Sequence, residues 1–155
     1  MKKKLSLLLS LFLGILYCFY GCQTEKLRFE YEQLTSDFIK AELIYLEEWT
    51  EPINYKTMYI LTKEESTELL KDITQTTFTV LLGHPNNPAK HGIKLNYIDR
   101  CLWFFENCIV YMDIQGINIF ENYKEYSQYP WYDIGRNEEF MAILNYYIAK
   151  AEQQN

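Results

Sequence analysis

Metal binding and nucleophilic attack are the first chemistries to look for among the side chains of this chain. Its only histidines, His84 and His91, bracket Pro85-Asn86-Asn87-Pro88-Ala89-Lys90. Zinc sites draw thiolates or paired histidines at short fixed spacings, and this stretch supplies neither, nor a carboxylate beside them. The expectation is two exposed loop histidines and no metal. Ser36, Ser66 and Ser127 have no Gly-x-Ser-x-Gly setting that would expose a nucleophile on a strained turn. Cys101 and Cys108 pair on paper with either histidine, but both sit in apolar stretches, where burial keeps a thiol protonated and inert. Asp99, Glu106 and Asp113 fall near one another at hairpin turns and a sheet edge, where solvated turn carboxylates are the simpler reading. Neither a phosphate-cradling glycine loop nor a dinucleotide fingerprint is present. The residues therefore predict no cofactor and no catalysis.

A binding surface is the better candidate. Tyr123 to Tyr132 carries five aromatics, and Tyr126, Tyr129, Trp131 and Tyr132 could stack on sugar rings or anchor a protein partner. Tyrosine and tryptophan combine apolar area with a polar handle, which is why they dominate interface hot spots. The competing reading folds them back as a lid over the sheet edge, because a small domain needs aromatic area in its core.

The elements that would position these residues follow from periodicity. From Phe38 to Trp49 apolar and polar residues alternate, the mark of a strand, with Glu47 and Glu48 near its end. Pro52 and Asn54 mark a loop, and Met58 to Leu61 read as a second short strand. Thr62-Lys63-Glu64-Glu65 is a capping box, which predicts a helix whose Leu69, Leu70 and Ile73 form one apolar face. Thr76 to Leu82 reads as a strand, ended by the breakers Gly83 to Pro88. Ile93 to Asp99, Cys101 to Glu106 and Cys108 to Ile114 then predict a meander with turns at Asp99-Arg100 and Glu106-Asn107. Lys94 and Asn96 between apolar neighbours give its first strand a wet face. Asn137 caps a last helix in which Phe140, Leu144, Tyr147, Ile148 and Ala151 recur at helical spacing. The fold class is α+β: an antiparallel sheet with a central meander and two helices packed on one face.

This register also bears on the thiols. A turn at Glu106-Asn107 sets Cys108 opposite Phe105 and Cys101 near Met112, four residues apart along the ladder. That is about 13 Å at a rise of ~3.3 Å per residue, beyond the roughly 7 Å between Cα atoms that a disulfide tolerates. A bridge would need the turn at Phe104-Phe105, which is poor turn chemistry. Two buried free thiols are expected.

The first residues carry an address. Lys2, Lys3 and Lys4 precede an uncharged apolar run from Leu5 to about Phe19, followed by Phe19-Tyr20-Gly21-Cys22, the order of a secretory signal. This segment resembles the bacterial lipoprotein signal, in which a small residue precedes a cysteine that is diacylated on sulfur and becomes the new N-terminus. The resemblance implies that Gly21 and Cys22 are that pair and that Cys22 carries the lipid. It also implies attachment to the cell membrane or, with Gln23 next, to the outer membrane of a two-membrane cell, the domain facing away from the cytoplasm. Stable anchoring takes more than one acyl chain, which such a lipid supplies. An uncleaved anchor or a cleaved, unlipidated chain are the alternatives, and both also place the body outside the cytoplasm. A second resemblance, on Ile93 to Asp99 before a tight turn and Glu138-Glu139-Phe140 opening a terminal helix, is to small uncharacterised domains of bacterial envelope proteins; it implies only the fold class.

The expected organisation is a signal over 1–21, a polar tether over 22–36 and a single domain over 37–155. Losing Lys2, Lys3 and Lys4 with the signal changes the net charge from -6 to -9. Such an acidic chain has no counterion-releasing basic surface, which argues against nucleic acid as a partner. The sequence thus predicts a lipid-anchored envelope protein acting by contact with an envelope partner, as an accessory or inhibitor. The alternative is a glycan or peptidoglycan binder using the aromatic loop.

Overall fold

The computed structural model of this chain describes residues 25–49, 53–81, 87–113 and 132–154. Its longest strand is β2 (Phe38–Glu48), eleven residues hydrogen-bonded to β3 (Asn54–Ile60) on one side and to β5 (His91–Tyr97) on the other. The meander continues through β6 (Arg100–Phe105) and β7 (Cys108–Asp113) to the short β8 (Tyr132–Asp133). All pairings are antiparallel, in the order β3-β2-β5-β6-β7-β8. The α+β architecture with a central meander expected from the sequence is the observed one.

The turn between β6 and β7 falls on Glu106-Asn107, with Cys101 opposite Met112 as the spacing predicts. Asn107 holds this turn to its surroundings: its side chain accepts from the Ala89 amide at 2.8 Å and donates to the Asn87 carbonyl at 2.9 Å. The turn between β5 and β6 lies one residue earlier than predicted, at Ile98-Asp99. Arg100 belongs to β6, paired with Asp113, and its guanidinium lies 4.8 Å from the Tyr97 ring centroid. A cation resting on an aromatic face outweighs a generic preference for charge in a turn.

Both long helices pack on one face of the sheet. In α2 (Lys63–Gln75) both halves of the capping box are formed, and Leu69, Leu70 and Ile73 are buried. In α3 (Glu138–Glu152) the Asn137 side chain accepts from the Phe140 amide at 2.9 Å, and Phe140, Leu144, Tyr147 and Ala151 are buried. These stripes share one core with Leu43, Ile93, Leu95 and Phe104 of the sheet.

Three expectations need correction. Residues 25–36 are not a tether: β1 (Glu25–Leu27) pairs antiparallel with β4 (Phe78–Val80), and α1 (Tyr31–Thr35) precedes β2. Phe29 packs edge-on against Phe78 and Phe104, and Leu34 is buried, so the domain boundary expected at 37 lies no later than Glu25. A short polar stretch with few apolar residues gives no local period, yet Phe29 and Leu34 both reach the core of the domain. Next, α1 is a third helix, five residues long, beside the two foreseen. Last, the Lys94 face of β5 is not wet. Ile44, Trp103, Phe105 and Val110 form a second core on that side, so the sheet is buried on both faces.

Among the described residues no helix is long and apolar enough to cross a membrane.

Candidate functional site

Cys22, Tyr126, Tyr129 and Trp131 lie outside the described residues, as does His84. Tyr132 is in β8 opposite Ile109, half-buried against the principal core, and burial followed by the Glu25 carboxylate pushes its phenol pKa up. His91 is not a loop residue: it opens β5 and meets the Tyr45 ring edge-to-face at 5.2 Å. Cys101 and Cys108 are buried and not joined by a disulfide, and the Cys101 sulfur accepts from the Trp103 indole at 3.0 Å; burial first, then the Asp133 carboxylate, drives the Cys108 thiol pKa far up, the opposite of an activated nucleophile. Ser36 is exposed, and Asp99 is engaged by Arg100 at 3.2 Å. Among the described residues no three His, Cys, Asp or Glu side chains gather as a metal site would need.

Two arrangements that the sequence did not reveal come into view instead. One is internal. Lys94 is only 6% exposed and sits between Glu42 and Trp103 in a cross-strand row. Its ammonium donates to the Tyr55 hydroxyl at 2.7 Å and lies 4.7 Å and 5.4 Å from the Tyr55 and Trp103 ring centroids. Glu42, equally buried, accepts from Lys40 and from Asn96, both at 2.9 Å. A buried amine can be a nucleophile or a base, but this one is held by a phenol and two ring faces. That hydroxyl and those rings satisfy the ammonium inside the second core and tie β5 to β3 and β6.

The other arrangement opens to solvent. Strand β3 stops pairing with β2 at Ile60, opposite Glu42, with one further bond from the Leu61 amide to the Ala41 carbonyl at 3.1 Å. Upstream, Phe38 to Lys40 pair with β5 only; among the described residues their other edge has no strand partner. The chain reaches this edge through Asp37, whose φ of 58° turns it out of α1. α1 and the first turns of α2 stand off from the edge and leave a groove of about 340 Å³. Leu61, Leu70 and Ser66 are its buried interior, while Tyr31, Ile39 and Lys63 are exposed along its rim.

The rim belongs to a wider apolar corner. Ile39 is 59% exposed, Ile60 56%, Ile98 67% and Tyr31 41%. The register brings Ile39, Ile60 and Ile98 to one end of the sheet, since Phe38 pairs with Tyr97 and Glu42 with Ile60, with Ile60 on the Glu42 and Lys94 face; Tyr31 joins Ile39 from α1 across the groove. Single exposed apolar residues are ordinary on any surface, but several at one corner of a small domain make a candidate contact surface. Sequence reasoning had Ile39 and Ile60 on strands but no means of placing α1 and α2 beside them. Comparison with family models, with curated proteins and with solved structures finds no match to this chain.

Proposed function

We propose that this chain is a small lipid-anchored cell-envelope protein that works by protein contact, as an accessory or inhibitor of a larger assembly, and not by catalysis. The observation that carries the contact half of the reading is the exposed corner of Tyr31, Ile39, Ile60 and Ile98 beside the open edge of β2. Apolar side chains beside unpaired strand backbone are what a partner segment needs in order to dock.

The leader pattern ending at Gly21-Cys22 supports the anchor. The first described strand begins at Glu25, three residues beyond that cysteine. At most about 3.6 Å per residue, this spans roughly 11 Å. A domain anchored at Cys22 would therefore lie against the membrane surface, and its partner would be a membrane-proximal protein. The intact mass of chain extracted from membranes tests the anchor. A start at Cys22 with added acyl mass is expected, and a full-length or unacylated mass would overturn it.

A further inference from the structure

The groove beside β2 has features that a general contact surface does not require. Ser66 is 3% exposed and lines the groove; its amide bonds to the Thr62 carbonyl at 2.9 Å, but among the described residues its hydroxyl has no partner. By contrast Thr67, the next residue, returns its hydroxyl to the Lys63 carbonyl at 2.9 Å. Buried hydroxyls are nearly always satisfied, so an orphan facing a groove is a place for a ligand atom. The charged side chains lining the groove are both lysines, in a chain whose net charge is negative. Lys40 is paired with Glu42, whereas the Lys63 ammonium has no ion-pair partner among the described residues.

We infer that this groove binds a short extended peptide segment of a partner protein, one that carries an apolar side chain next to a carboxylate. The inference rests on the protein-contact reading above and names the partner's chemistry. The segment adds to the free edge of Phe38 to Lys40, main chain to main chain. Three strand residues at ~3.3 Å each give about 10 Å of edge, enough for three or four peptide residues. Its apolar side chain enters over Leu61 and Leu70 and a polar atom meets the Ser66 hydroxyl. Its carboxylate sits by Lys63 at the exposed rim. A volume of about 340 Å³ accommodates one or two side chains and no folded element.

The test pans the full chain, in mild detergent, against phage-displayed random heptapeptides, and then titrates the enriched peptide. Enrichment of an apolar residue beside Asp or Glu is expected. Binding should fall at least tenfold in Lys63→Glu and in Ile39→Asp, and severalfold in Ser66→Ala, while the bound peptide slows amide exchange at 38–40. Lys63 and Ile39 are exposed, so both variants keep the fold. Enriched peptides indifferent to both substitutions would overturn the groove assignment while leaving protein contact elsewhere intact. Absence of enrichment overturns the peptide assignment, and octanoate slowing exchange at 38–40 in that case would show a small acid as the occupant. Loss of the anchored form is read separately, by the membrane mass measurement, and does not enter this titration.

Discussion

Lys150, in the last turn of α3, donates to the carboxylate of Glu65 in the first turn of α2, an ion pair between residues 85 apart in sequence. The same carboxylate accepts from the Thr62 amide at 2.7 Å and from the Tyr59 hydroxyl, and the Glu65 carbonyl accepts from Tyr147 at 3.2 Å. One side chain thus caps α2, holds β3 and receives α3. It also fixes the turn of helix that carries Lys63 and Ser66 along the groove.

Glu65→Ala should therefore cost about 2–3 kcal/mol, from the lost cap and the partners left unpaired. Lys150→Met, at a partly exposed cation, should cost about 1 kcal/mol. In urea titrations the double variant should fall short of the sum by at least about 0.5 kcal/mol, because both substitutions remove the same contact. Strict additivity would mean that the pair contributes nothing.

Gly92 lies under the Phe105 ring. A Cβ there would meet Phe105 ring carbons at 2.7 Å and 2.8 Å and the Phe104 carbonyl oxygen at 3.0 Å. Gly92→Ala should destabilise the fold by about 1–3 kcal/mol through overpacking of the second core. An unchanged melting midpoint would show that the ring moves aside freely.

Asp37 holds a left-handed backbone at φ 58°. Asp37→Gly should leave stability within about 0.5 kcal/mol or improve it, and Asp37→Val should cost about 1–2 kcal/mol, since a β-branched residue resists this region. Equal effects of the two substitutions would contradict a backbone origin.

Alkaline pH should unfold the chain through its tyrosines. Burial, and after it the neighbouring phenols and carboxylates, pushes Tyr147 up to about 12, and burial raises Tyr97, whose hydroxyl donates to the Leu34 carbonyl at 3.1 Å. A phenol whose folded pKa lies above its unfolded value of about 10 contributes fully below pH 10 and loses that contribution as pH rises through the folded pKa. Stability should be flat from this source up to about pH 9.5 and decline between about pH 10 and 12. Tyr147→Phe should flatten the decline. An unchanged slope in that variant would remove Tyr147 from the account.

Local signals were legible and long-range ones were not. The Thr62 capping box and the Glu106-Asn107 turn are written within four residues, and the second of these alone sets Cys101 against Met112. Lys94 looked solvent-facing because period-two reasoning assigns a polar residue to water. Its cover comes from Tyr55, 39 residues away, and from Trp103 on the next strand. The apparent tether failed for the same reason, as the partners of Phe29 and Leu34 are Phe78, Phe104 and Tyr97. Ser66 read as one more polar residue outside the Leu69, Leu70, Ile73 face of a helix. Only the placement of that helix against the free end of β2 turns it into the lining of a groove.

Whether the Ile39, Ile60 and Ile98 corner meets another protein is decided by site-specific photocrosslinking in intact cells, with a benzophenone amino acid at position 39 or 98 and, as control, at exposed Glu139 on α3. One discrete heavier adduct is expected from 39 and 98, absent at 139 and lost when Ile60→Asp is added. No adduct from the corner, or equal adducts from all three positions, would contradict it.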